Sequence, residues 1–132
     1  MNYKQSLLVA AIIGALTVTI GAFGAHALRP ALEAAGRMDT FETGVKYQMY
    51  HVLAIFLTGL LQINFTHKMF NRASLSFLLG ILVFSGSLYA LSISGITKFG
   101  AVAPLGGALL IAGWIFLATG IAKYPVKTKQ LK

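Results

Sequence analysis

The stretch ETGVKYQMYH, residues 42–51, sets Glu42, Lys46, Tyr47, Gln48 and His51 directly ahead of the apolar run VLAIFLTGLL. Three chemistries are open to such residues. A carboxylate and an imidazole can work as an acid–base pair. Glu42 and His51 are nine residues apart, about 13 Å along one helix at 1.5 Å per residue, so they do not meet. An imidazole can also ligate, and His26 with His51, on adjacent antiparallel helices at matching height, would have the placement of a bis-imidazole haem or metal site. A pair with no third or fourth ligand is weak as a metal site. The chain has no cysteine, which removes thiolate zinc sites, iron–sulfur clusters and disulfides together. The expectation is therefore neither a metal nor a cofactor. The third chemistry is non-covalent: His26, Glu42, Tyr47, Gln48, His51, Ser85 and Tyr89 could line a polar pocket for a small or lipid-like ligand. Each also has a structural account. Tyr47 and Tyr50 fit an aromatic belt, Glu42 and Lys46 an i,i+4 pair, and His51 a bond to a neighbouring helix. No HExxH, no nucleophile elbow and no phosphate-cradling glycine loop occurs, so no enzymatic activity is expected.

The elements that must position these residues are membrane helices. Of the 132 residues 57% are hydrophobic and 11% charged, against a charged share of roughly 25% in soluble domains. Such a chain cannot coat a globule with polar surface. The net charge of +8 does not indicate nucleic acid, because the Lys and Arg residues are scattered between apolar runs rather than gathered on one soluble face. Crossing the hydrocarbon layer as helix takes about 20 apolar residues, and four stretches reach that length. They lie at about 6–28, 44–65, 73–94 and 100–122. The expected fold is all-α, a single integral membrane domain over 1–132 with four helices in an antiparallel up-down bundle. Seven basic residues (Lys4, Lys68, Arg72, Lys123, Lys127, Lys129, Lys132) fall on the side of the termini, and four (Arg29, Arg37, Lys46, Lys98) on the other with all three acids. The positive-inside bias then puts both termini in the cytoplasm, with the tail KYPVKTKQLK drawn to anionic headgroups.

Within this frame the second helix is expected to start at an Asp39 or Thr40 cap with Glu42 in its first turn. Thr43, Tyr47, Tyr50, His51, Ala54 and Thr58 share one side of it and should face protein. His51 falls roughly 7 Å below Lys46, in a polar outer layer with His26 and Tyr89. In the first helix Ala10, Gly14, Thr17, Gly21 and Ala25 form a stripe of small side chains, and in the fourth Gly106, Gly113 and Gly120 recur every seven residues. Both are expected packing seams. Pro104 either opens the fourth helix or kinks it.

The combination GAFGAH at 21–26, ETGVKYQMYH at 42–51, FSGSLY at 84–89 and APLGG at 103–107 closely resembles a family of small bacterial membrane proteins, domain of unknown function 423 or uncharacterised protein family 0382. The resemblance covers nearly the whole chain. It implies a four-helix integral protein of the bacterial plasma membrane and implies no activity. It also points to residues outside the polar layer, among them Pro104 and Trp114, while Ala103 stands where relatives often carry Thr. The leading expectation is a structural or interaction protein, embedded in the bilayer and pairing with itself or with a larger membrane partner. The alternatives are binding or translocation of a small or lipid-like ligand at the outer polar layer, and haem or metal ligation through His26 and His51.

Overall fold

The computed structural model describes residues 1–65 and 67–123, so the tail from Tyr124 and its expected contact with headgroups lie outside the described residues. Every element among the described residues is helical: α1 (Tyr3–Ala25), α2 (Arg29–Ala34), α3 (Met38–Asn64), α4 (Lys68–Ser94), a short 3-10 helix (Thr97–Ala101) and α5 (Ala103–Lys123). Three stretches, Tyr3–Ala25, Lys68–Ser94 and Thr97–Lys123, are long and apolar enough to cross a membrane. α3 is as long as α4 at 27 residues, but Asp39, Glu42 and Lys46 stand in its first third.

Local chemistry sets the helix ends. Asn2 and Gln5 form a capping box at α1, the Asn2 side chain accepting from the Gln5 N–H at 2.9 Å and the Gln5 side chain from the Asn2 N–H at 3.0 Å. That box starts α1 at Tyr3 rather than Ser6 by satisfying two donors that a helix start leaves open. The connection after it holds the extra helix α2, which opens with Pro30 in its first turn, carries an Arg29–Glu33 ion pair at 2.7 Å, and stops before Gly36 at φ 64°. α3 begins at Met38, several residues ahead of the expected Gly44. Neither Asp39 nor Thr40 caps it; Arg37 holds the cap position without a side-chain bond, and Asp39 lies in the first turn. Nδ1 of His67 accepts from the Met69 N–H at the start of α4 (3.2 Å), and Gly95 at φ 72° ends that helix. Pro104 is the second residue of α5, where its missing N–H costs little, so it opens the helix and makes no kink.

The helices pack in chain order, α1 on α3, α3 on α4 and α4 on α5. α1 and α5 are the flanks, and the three largest fully buried side chains, Phe70, Phe77 and Ile55, lie on the two middle members. α1 is the most peripheral: 17% of its span is buried, against 44% for α4. The seam between α4 and α5 uses the glycine heptad. Gly106, Gly113 and Gly120 face Phe84, Phe77 and Phe70, the antiparallel partner series also stepping by seven. At Gly106 an added Cβ would collide with the Phe84 backbone, and at Gly120 it would stand 2.9 Å from the Phe70 ring. Lipid tails are as apolar as Phe, so this seam is held by close van der Waals contact rather than by escape from water. The α1 stripe packs more loosely on α3. Beside Gly14 and Gly21 stand Val52 and Val45, with room at Gly14 for an ordinary methyl contact at 3.5 Å.

Candidate functional site

Antiparallel pairing of α1 with α3 sets Gly14 against Val52, Gly21 against Val45 and Gly24 against Phe41. This register separates the two histidines expected to share a height. His51 is level with positions 14–15 of α1, whereas His26 is the exposed C-cap residue beyond Ala25. The offset is roughly 16 Å at 1.5 Å per residue, so no atom can bridge both rings and the expected bis-imidazole placement fails. Because α3 starts at Met38 and ends at Asn64, His51 is its midpoint.

Both nitrogens of His51 are engaged. Nε2 is 3.2 Å from Nε1 of Trp114 on α5, and Nδ1 is 2.8 Å from the Tyr47 carbonyl one turn earlier. An indole N–H only donates and a carbonyl only accepts, so Nε2 carries the lone pair and Nδ1 the proton. That is one tautomer of a neutral ring, with no lone pair left for a metal. The ring is buried among aromatics: Tyr47 stacks on it at 6.1 Å, and Phe77 and Trp114 meet it at 5.6 and 6.1 Å. Trp114 is itself 48% exposed. It presents its ring to the bilayer and keeps its one polar group inside.

A second crossing joins three helices. Thr17 on α1 donates to the Ile13 carbonyl at 2.6 Å and accepts from Nε2 of Gln48 on α3 at 2.7 Å; Oε1 of Gln48 accepts from the Tyr89 hydroxyl on α4 at 2.9 Å. The Thr17 proton is spent on Ile13, so Gln48 must turn its amide nitrogen toward Thr17 and its oxygen toward Tyr89. A third crossing lies at the opposite end. Ser6 donates to Oε1 of Gln62 at 2.8 Å and stands 3.1 Å, hydroxyl to hydroxyl, from Ser74, while Nε2 of Gln62 donates to Oδ1 of Asn71 at 2.9 Å. Hydrocarbon would offer Thr17, Gln48 and Tyr89 no partner, and they find one another across helices.

The expected site residues therefore do not form one pocket. Gln48 and Tyr89 meet, and Tyr47 stacks on His51, but His26 stands apart at the end of α1. Glu42 pairs with Lys46 at 3.3 Å on the surface, the ordinary helical pair, and is not in the first turn of α3. Tyr47 and Tyr50 are exposed, so the helical side expected to face protein is rotated. His51, Ala54 and Thr58 are inward, Gln48 joins them, and the two tyrosines turn out. Ser85 is buried on α4, and its hydroxyl has no partner among the described residues. Near Tyr89 an apolar cleft of about 260 Å³ is lined by Ile20, Phe23, Leu28, Phe41 and Ile93.

Residues that the sequence did not mark as interacting complete the crossings. Thr17 reads as a member of the small-residue stripe, Trp114 enters only through the resemblance, and Ser6, Gln62 and Asn71 draw no notice. Their signal is faint but physical: Ser6 and Gln62 are uncharged polar side chains near the ends of otherwise apolar helices, where each requires a partner.

The family described as protein of unknown function (DUF423) matches residues 20–107. A UPF0382 membrane protein of Haemophilus influenzae is 41% identical over 121 residues, 91% of this chain and 95% of the relative. The UPF0382 membrane protein YwdK of Bacillus subtilis is 37% identical over 123 residues, 92% of this chain and 98% of the relative. The UPF0382 inner membrane protein YgdD of Escherichia coli K12 is 37% identical over 120 residues, 91% of each chain. No solved structure matches.

Proposed function

The chain belongs to this family of membrane proteins of unknown function, and from that premise we propose that it is a four-span protein of the bacterial inner membrane with a structural or interaction role. The observation that supports this role is the internal pairing of its polar groups. Gln48 with Tyr89 and Thr17, His51 with Trp114, and Ser6 with Gln62 are bonded helix to helix. In this reading they fix which helix lies beside which and at what register, as inter-helix hydrogen bonds do in a bilayer. Such a bundle presents lipids and other membrane helices with a rigid apolar surface. No catalytic pair is proposed, since Glu42 is held by Lys46 and His51 by Trp114.

The fourth span is α3. Its charged residues Asp39, Glu42 and Lys46 all precede Tyr47, and its deeper polar side chains Gln48, His51, Thr58 and Gln62 are buried, leaving an apolar exterior. Four crossings return the chain to the side on which it began, and the bias of seven basic residues against four makes that side the cytoplasm. Single cysteines at Lys4 and Lys98, labelled in intact cells with an impermeant maleimide, test the arrangement. Labelling at Lys98 alone is expected, and labelling at both, or at Lys4 alone, refutes it. The role is tested by native mass spectrometry of the protein in mild detergent. A bare chain or ordered oligomer supports the structural reading. A defined extra mass that disappears in His51→Ala overturns it.

A second reading is favoured by the cleft beside Tyr89, which suits one apolar chain of a lipid-like ligand. Retention of such a molecule that is lost in Ile93→Trp, which fills the cleft, would support it.

A further inference from the structure

The end of the molecule opposite Glu42 and Lys46 carries a cleft of about 400 Å³ lined by His67, the cap residue of α4, by Lys68, Met69 and Arg72 of α4 and by Lys123 of α5. All three acids of the chain, Glu33, Asp39 and Glu42, lie at the other end. Among the described residues the two ion pairs are Arg29–Glu33 and Lys46–Glu42, so no carboxylate there answers the three cations of the cleft. Their placement adds to the imbalance. Lys68 opens α4 and Arg72 is one turn on, in a helix with no acid in its first turn, where the positive end of the dipole disfavours cations.

The same face continues into the bilayer as an aliphatic ridge. Lys68, Arg72, Leu75 and Leu79 follow one another at steps of four, three and four, so they lie in one line along the helix, and both leucines are exposed. A cationic base at the membrane surface and an exposed aliphatic ridge above it complement two parts of one molecule: a phosphodiester headgroup and the acyl chain attached to it.

We propose that Lys68, Arg72 and Lys123 form a binding site for the headgroup of an anionic phospholipid, with an acyl chain along Leu75 and Leu79. The site belongs to α4 and α5 and does not depend on whether α3 crosses the membrane.

The full chain is reconstituted in nanodiscs of phosphatidylcholine with a minor fraction of phosphatidylglycerol, moved into mild detergent, and its retained lipids weighed by native mass spectrometry. One phosphatidylglycerol per chain is expected to persist while phosphatidylcholine is stripped. The triple substitution Lys68→Gln, Arg72→Gln and Lys123→Gln should weaken that retention by about 100-fold, the product of three separate attractions near the surface. The matched control Lys4→Gln, Arg37→Gln and Lys98→Gln, which removes equal charge elsewhere, should retain the lipid. Equal losses in both variants would mean diffuse attraction and no site. Displacement of the lipid by inorganic phosphate alone would mean a site for free phosphate and would overturn the lipid assignment, as would retention that ignores headgroup charge.

Discussion

Replacing Gln48 by leucine removes the middle of the Thr17–Gln48–Tyr89 crossing while keeping the volume close to that of the original side chain. Two inter-helix bonds are lost, from Nε2 to Thr17 at 2.7 Å and from the Tyr89 hydroxyl to Oε1 at 2.9 Å. Inter-helix hydrogen bonds inside membrane proteins average about 0.6 kcal/mol and reach about 1.7, so the pair is worth roughly 1–3 kcal/mol. Thr17 loses little on its own, because its proton still reaches the Ile13 carbonyl. The Tyr89 hydroxyl loses its acceptor in a half-buried position, and most of the cost falls there. Trp114 is the only tryptophan and bonds His51 one turn from Gln48, so its fluorescence reports unfolding in mixed micelles of mild and denaturing detergent without an added label. The expected result is a loss of 1–3 kcal/mol for Gln48→Leu, a smaller loss for Tyr89→Phe, and a coupling of about 0.6–1.7 kcal/mol in the double-mutant cycle. Additive losses with no coupling, or a Gln48→Leu variant as stable as the parent, would refute the register-fixing role of this crossing and return Gln48 to the candidates for ligand binding.

Other expectations follow from the same packing. Gly106→Ala should destabilise by about 1–3 kcal/mol in the same titration, because its Cβ meets the Phe84 backbone, which cannot rotate away. Gly14→Ala should be neutral or slightly stabilising, since its Cβ finds Val52 at 3.5 Å and alanine is the better helix former. Trp114→Phe leaves Nε2 of His51 without its donor and should cost about 1 kcal/mol, read by thermal aggregation in detergent. In parallel, His51→Phe should shift the Trp114 emission maximum by freeing the indole N–H. Haem or divalent metal added to the purified protein should leave Trp114 emission unchanged in both the parent and His26→Ala, because His26 and His51 cannot share a ligand at their separation.

Much of the architecture is a local property and is legible one helix at a time. An apolar run about 20 residues long is helical wherever it lies in a bilayer, because no other conformation there satisfies its own backbone. That is why α1, α4 and α5 stand close to where composition puts them. The heptad of Gly106, Gly113 and Gly120 likewise reads as a seam from spacing alone. The ends of the helices were less legible. The capping box of Asn2 and Gln5 starts α1 three residues earlier than expected, and the start of α3 at Met38 makes His51 the middle residue of that helix.

Sequence by itself determined that this is a helical membrane protein, which family it resembles, and which stripes are small enough for close approach, since all three depend on residue types and their order. Tertiary structure decided the partners. It decided that Phe70, Phe77 and Phe84 fill the glycine seam, that Gln48 faces inward while Tyr47 and Tyr50 face out, and that His51 meets Trp114, 63 residues away, rather than His26. A polar side chain in hydrocarbon must find a partner, but one helix does not carry the information of which neighbour, at what register, will offer it.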